Sequence, residues 1–340
     1  AQFALADLKP AKMGWGIGQA PNIAFVRRFR MKDGSVRTNP GVDNPDIVAP
    51  IGDVDERVTV VRFDREGGDT IVMVNFADHP DTVGGCKISA DWPGFLRRTV
   101  EKALDNTKCI FFNGAQGDVN HVNVHPTGGY LNDMFMDFDD VARGYGHAQY
   151  MGRVVAGGVL QAFDKVKYIE SGDLHFAQKI IQVPANLPTP EELVEAKKIY
   201  QLYEEGKSDQ LPYTGMMLTT VVAASKRMVM LENGPDSFDV KLSALSIGDV
   251  ALLGIPGEPF CELGMAVKEY SKKAMTVVSM GTNASYGYFP TKKAFAVPGG
   301  YERNSSKYAH NLEDLLVEAA TKILDQNSQF SSRRHKSRFR

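Results

Sequence analysis

The feature that most constrains this chain is its rhythm: short apolar runs of strand length keep giving way to longer segments with helical spacing. Strand-like runs fall at 22–28, 58–63, 71–77 and 109–112, and again at 174–183, 238–247, 250–255 and 275–280. Helical patterns follow several of them. One opens at Asp91, with Pro93 in its first turn, and runs towards Leu104; another covers 144–166. A Thr189-Pro190-Glu191-Glu192 start signal opens 189–204, and further patterns cover 258–273 and 311–326. Interleaving of this kind predicts an α/β, mixed α+β architecture, with layered mixed sheets flanked by helices, rather than an all-β fold. No linker divides the chain and no internal repeat is present, so a single large domain over 1–328 is expected, with a mostly helical insertion at about 184–230.

Composition narrows the partners. The 340 residues carry a net charge of −2, which gives no electrostatic reason to expect nucleic acid or an anionic membrane. No apolar run approaches the roughly 20 residues a membrane-spanning helix needs, so no transmembrane segment is expected. Three cysteines, Cys86, Cys109 and Cys261, are too few for a disulfide framework or a four-thiolate zinc site. The start at Ala1-Gln2-Phe3, without Met, reads as processed or truncated. The basic stretch at 329–340 reads as a disordered tail rather than a nucleic-acid arm.

Gly and Pro cluster where the apolar runs end, and in α/β proteins such loops carry the chemistry. His79, in Asn75-Phe76-Ala77-Asp78-His79-Pro80-Asp81, follows one run, and Pro80 keeps it out of a helix. A neutral imidazole there suits a divalent metal, with Asp78 or Asp81 to orient it; an ordinary turn histidine has the same sequence signature. Glu258, in Gly257-Glu258-Pro259-Phe260, follows another run and opens a helix, where a carboxylate either caps or ligates. Tyr286 and Tyr288 alternate around Gly287 and either pack at a core edge or serve a site. The loop Phe111-Phe112-Asn113-Gly114-Ala115-Gln116-Gly117-Asp118-Val119-Asn120 is no Walker loop, since no Gly-Lys-Ser/Thr follows; its amides suit an oxyanion or the support of a ligand loop. His121 and His125 stand four apart, but Pro126 and the β-branched residues between them oppose a helix there.

In combination these motifs resemble a family. The Asn75–Asp81 segment, Ile88-Ser89-Ala90-Asp91-Trp92-Pro93-Gly94, the Phe111–Asn120 loop, Gly257–Phe260 and Ser285-Tyr286-Gly287-Tyr288-Phe289-Pro290-Thr291, in that order, resemble the neutral/alkaline non-lysosomal ceramidases, above all their short bacterial relatives. The resemblance runs from about Asn22 to Ile323. It implies a zinc-dependent amide hydrolase acting by zinc-activated water, with a ceramide-like lipid as substrate and a secreted or periplasmic location; the alternative within enzymes is a zinc amidase or esterase acting on a non-lipid small molecule. By motif position, His79, Glu258 and Tyr288 resemble three of the four zinc ligands. Tyr301, in Gly299-Gly300-Tyr301-Glu302, resembles the tyrosine near the substrate carbonyl, and Arg27 the substrate-contacting arginine. Asp78, Asp118, Asn120 and His121 are then supporting residues.

Two departures stand out. The family's first zinc histidine lies in a Thr-His-Thr-His-like run upstream of the resembled part, and this chain contains no His-x-His, which leaves His121 as the nearest substitute. Many relatives carry Ser in a Gly-Asp-Val-Ser-Pro loop; here Asn120 and His121 follow Val119, so no serine nucleophile is offered at that position. Larger members also carry a C-terminal β-sandwich, which this chain ends too early to contain. The rival from another class is an inert binding protein that keeps the fold without a working metal centre.

Overall fold

The computed structural model describes residues 1–337, with side chains up to residue 325; the tail expected to be disordered from 329 onward lies outside the described side chains, and 338–340 lie outside the description altogether. Two four-stranded units carry the architecture. In the first, β1 (Ala11–Gln19), β2 (Arg57–Arg65) and β3 (Thr70–Phe76) pair antiparallel in sequence order, and β4 (Thr107–Asn113) joins β3 in parallel. The parallel step is made through α1 (Asp91–Ala103), and α2 (Tyr145–Phe163) follows β4. A short edge piece, Lys167–Tyr168, pairs outside β1.

The second unit repeats that winding. Here β5 (Leu174–Pro184), β6 (Ser237–Ile247) and β7 (Val250–Gly254) pair antiparallel, and β8 (Met275–Ser279) joins β7 in parallel. Between β5 and β6 the chain makes a two-helix excursion, α3 (Pro190–Glu204) and α4 (Gly215–Met230). A capping box starts α3: Thr189 Oγ1 accepts from Glu192 N while the Glu192 carboxylate accepts from Thr189 N. The crossover helix of this unit is α5 (Cys261–Tyr270), and α6 (Leu312–Ser337) covers the same sheet.

The cores show how the units stack. Along β2, Val58 and Val60 face the helices, packing with Val72, Val74, Trp92, Leu96, Met151 and Val155. Val61 points the opposite way, as a strand's two-residue period requires, and meets Met13, Val250, Met275 and Val277. Leu242, Leu253 and Val278 pack under Leu263, Leu316 and Ala320 on the far side. The order is therefore helices, sheet, sheet, helices: a mixed α+β, four-layer single domain, in keeping with the layered fold expected.

The sheets are tied at one end, where β3, β4, β7 and β8 all terminate. Asn75 Nδ2 donates to Phe112 O (2.8 Å) in its own sheet and to Val278 O (3.0 Å) in the other, and Met280 N donates to Asn113 O at 3.1 Å. Four loops converge there. Gly117, after β4, sits so close to the loop after β7 that an added Cβ would lie 2.4 Å from Glu258 O, and its N–H donates to Pro259 O at 2.8 Å.

Three local expectations need correction. The run 22–28 is not one strand: a turn with Asn22 at φ 60° precedes a two-residue bridge, Phe25–Val26 with Val119–Asn120, and Arg28–Met31 then joins a separate small sheet with Val36–Thr38 and Ile47–Pro50. Glu258 does not open a helix. It pairs with Tyr288 in a two-residue parallel bridge, and α5 begins only at Cys261. Asp91 does not cap α1 from outside; it is the first helical residue, held at φ 49° while its carboxylate accepts from Trp92 N and Val83 N.

Candidate active site

The convergent loops bring together five of the residues singled out in the sequence. His79 stands just past β3, its ring fixed by a backbone carbonyl: Nδ1 lies 2.7 Å from Val119 O. A carbonyl oxygen can only accept, so Nδ1 carries the hydrogen and Nε2 is the free nitrogen. That nitrogen lies 3.0 Å from Glu258 Oε2. Glu258 and Tyr288 sit side by side in their parallel bridge, and the phenol helps to hold the charge of that carboxylate. Burial pushes the Glu258 carboxyl up, but His79, Arg27 and Tyr288 together hold it below the usual range.

Arg27 closes the other side. Its Nη2 donates to Gly117 O (3.0 Å) and to Tyr288 Oη (3.1 Å), and its Nε lies 2.5 Å from Glu302 Oε1. Burial is the largest influence and opposes the charged guanidinium, but Glu302, Tyr288 and Asp81 together outweigh it and keep Arg27 cationic. Tyr301 packs edge-on against Tyr288, with ring centroids 5.6 Å apart. Burial pushes both phenols above their ordinary value. His79 and Glu258 keep partial exposure, 12% and 21% of their side chains, so the cluster is open to a ligand.

The supporting residues divide. Neither Asp78 nor Asp81 holds the His79 ring; that role falls to the Val119 carbonyl. Asp78 is fully buried, and burial, then Asp81 and Asp91, pushes its carboxyl well up. Asp118 Oδ1 accepts from Cys261 N at 2.8 Å, tying the loop after β4 to the start of α5. Asn120 accepts from Val122 N at 3.1 Å and donates to Asn39 Oδ1 at 3.4 Å, shaping its own loop. His121 faces away from the cluster's open side: Nδ1 meets Asp81 Oδ1 at 3.1 Å, Nε2 meets Ala142 O at 2.8 Å, and the side chain is only 1% exposed. His125 is on the surface beside Asp43.

Sequence reasoning missed Glu302, Thr38 and the Val119 carbonyl. A backbone carbonyl leaves no mark in sequence, and Glu302 had none beyond standing next to Tyr301.

The donor set bears on a metal. Among the described residues, no group of three or more His, Cys, Asp and Glu side chains is placed to hold one. Counting the phenol changes the picture, because His79 Nε2, the Glu258 carboxylate and Tyr288 Oη converge. Nitrogen and oxygen donors at about 2.0–2.1 Å around a tetrahedral zinc are roughly 3.3 Å apart, close to the 3.0 Å between Nε2 and Oε2. The residues present therefore fit zinc as part of a ligand set.

Helices, sheet, sheet and helices, with the two sheets tied at one end, make up the fold. Two solved structures share it. The neutral ceramidase from Pseudomonas aeruginosa matches 96% of this chain with a TM-score of 0.62 at 17% identity, and a ceramidase complexed with C2 matches 96% with 0.61, also at 17%. The chain spans about half the length of each, 54% and 55%. No family model matches the chain, and no curated protein matches it by sequence.

Proposed function

We propose that the protein is a zinc-dependent hydrolase of an N-acyl amide bond, with a ceramide-like lipid as substrate. One observation carries the reading: His79 Nε2 and Glu258 Oε2 face each other at 3.0 Å, with Nδ1 committed to a carbonyl, at a partly exposed spot where Tyr288 stands beside Glu258. A lone pair and a carboxylate oxygen attract only with a proton or a cation between them, and Tyr288 turns that spot into a three-donor corner. Zinc held there would polarise the amide carbonyl and lower the pKa of water to about 7.

The chain's own residues supply the rest. Arg27, held on three sides, keeps positive charge beside Tyr288, where an oxyanion would form. Tyr301 offers a phenolic O–H on the same side, able to donate near neutrality without losing its proton. Departure of the amine requires a proton at nitrogen; the attacking water releases one, and the Tyr301 phenol can pass it on by accepting that proton as it gives up its own. A lipid substrate is favoured by a cavity of about 440 Å³ whose mostly apolar wall of Met230, Leu231, Phe238 and Tyr286 is edged by Lys226, Arg227 and Lys307. The ceramidases that share the fold support the same class.

The test is hydrolysis of N-acyl-sphingosine by the full-length gene product, before chelation, after it, and after zinc is restored. The reading expects turnover, its loss, and its recovery. Turnover that survives thorough chelation would refute it.

A further inference from the structure

Glu302, like Asp78, is fully excluded from solvent, and the proposed mechanism gives it no part. It is surrounded by the groups that do have one. Oε1 lies 2.5 Å from Arg27 Nε, and Oε2 lies 3.8 Å from Arg28 Nε. The Thr38 hydroxyl donates to Oε2 at 2.7 Å and accepts from Tyr301 N at 2.9 Å. The hydroxyl thus has one donor and one acceptor partner, which fixes its rotor and links the carboxylate to the backbone of Tyr301. One side chain reaches Arg27 directly and Tyr301 through a single hydroxyl.

We propose that Glu302 is a positioning residue that sets the two oxyanion donors, Arg27 and Tyr301, in register with each other. This rests on the hydrolase reading and deepens it. Burying a carboxylate is costly unless its partners are well placed, and losing one partner leaves an uncompensated charge. The two guanidiniums answer one carboxylate, so the group retains net positive charge for a developing oxyanion. Arg28 takes a separate share: its Nη2 donates to Gly299 O at 3.4 Å and its guanidinium stacks over Phe260, anchoring the loop that leads into Tyr301. Without the Glu302 carboxylate the guanidinium of Arg27 keeps Gly117 O and Tyr288 Oη as partners but loses the contact that sets its tilt.

The experiment is a double-mutant cycle on the full-length enzyme with N-acyl-sphingosine, following kcat and KM separately. R27A, which deletes one oxyanion donor, is expected to lower kcat about 100-fold. E302Q is expected to lower kcat about 10- to 100-fold with KM within about twofold, since it disturbs a group used mainly in the transition state. In the R27A background E302Q should cost less than about threefold, because most of its effect is transmitted through the missing guanidinium. E302D, which retains a carboxylate, should recover part of the loss. T38V preserves every charge; should E302Q not fold, T38V tests the other arm, with a fall of about three- to tenfold that shrinks in a Y301F background. Losses that multiply in full in the double variant overturn the positioning role and leave the hydrolase reading intact. A wild-type enzyme with no N-acyl hydrolysis overturns both.

Discussion

His79 and His121 each meet a carboxylate through one ring nitrogen and a backbone carbonyl through the other. The distances nearly match: 3.0 Å to Glu258 and 2.7 Å to Val119 O for the first, 3.1 Å to Asp81 and 2.8 Å to Ala142 O for the second. The surroundings differ. His79 leaves 12% of its side chain exposed, whereas His121 leaves 1%, and the His79 carboxylate stands beside a phenol, Tyr288, in a two-residue bridge. His121 instead ties the loop after β4 to Asp81 and to the strand piece at Ala142, while Tyr130 Oη donates to its backbone oxygen at 2.8 Å. A histidine–carboxylate contact by itself therefore does not mark a site. A third donor and a path for ligand do, and by those criteria one pair is chemical and the other is a strut.

If that division is right, the two pairs respond oppositely to mutation. The largest effect is expected from H79A: a fall in kcat/KM of about 1,000-fold or more, roughly 4 kcal/mol of transition-state stabilisation, with little change in melting temperature. Steady-state kinetics beside a thermal melt checks it. H121L should do the reverse. Removing the buried imidazole takes from the partly exposed Asp81 its hydrogen-bond partner, at about 2–3 kcal/mol, and the melt should fall by roughly 3–5 °C while activity stays within about tenfold. Equal damage to activity from both variants would erase the distinction.

Ligand linkage sharpens the comparison at smaller amplitude. Zinc at about 100 times its dissociation constant should stabilise wild type and H121L by about 2.7 kcal/mol, and H79A by none, in thermal melts with and without the ion.

The smallest effect concerns Asp118, whose carboxyl burial pushes up to about 7. A carboxyl with a raised folded pKa favours the folded state fully only below its ordinary value near 3.8, and that contribution is lost as pH rises towards 7. D118N, neutral throughout, should flatten the fall in stability between pH 5 and pH 7, as measured by urea unfolding at each pH. An unchanged pH slope would show that Asp118 titrates normally.

Much of the fold was legible because buried strands write themselves as apolar runs. Seven of the eight main strands lie at or near the apolar runs of the sequence. The exception, β1, places Gly14, Gly16 and Gly18 along one face, which strips it of an apolar signature. The reason is packing: a Cβ at Gly18 would stand 1.9 Å from Gly158 O of α2. At the site, His79, Glu258 and Tyr288 were legible from motif order, since each follows the end of a strand. Their convergence was not, because it depends on how the two sheets are joined through Asn75 and Met280. Nor was Glu302, whose meaning comes from Thr38 and Arg27, 264 and 275 residues earlier in the numbering.

The central claim is that His79, Glu258 and Tyr288 hold one cation. The most direct measurement is zinc stoichiometry of the full-length protein, stripped of metal, re-equilibrated with a slight excess and freed of loose ions, for wild type, H79A, E258A and H121L. The account predicts one zinc per chain for wild type and H121L, and a loss of most of it in H79A and E258A. Wild type that retains no stoichiometric zinc, or H79A that binds as much as wild type, would contradict it.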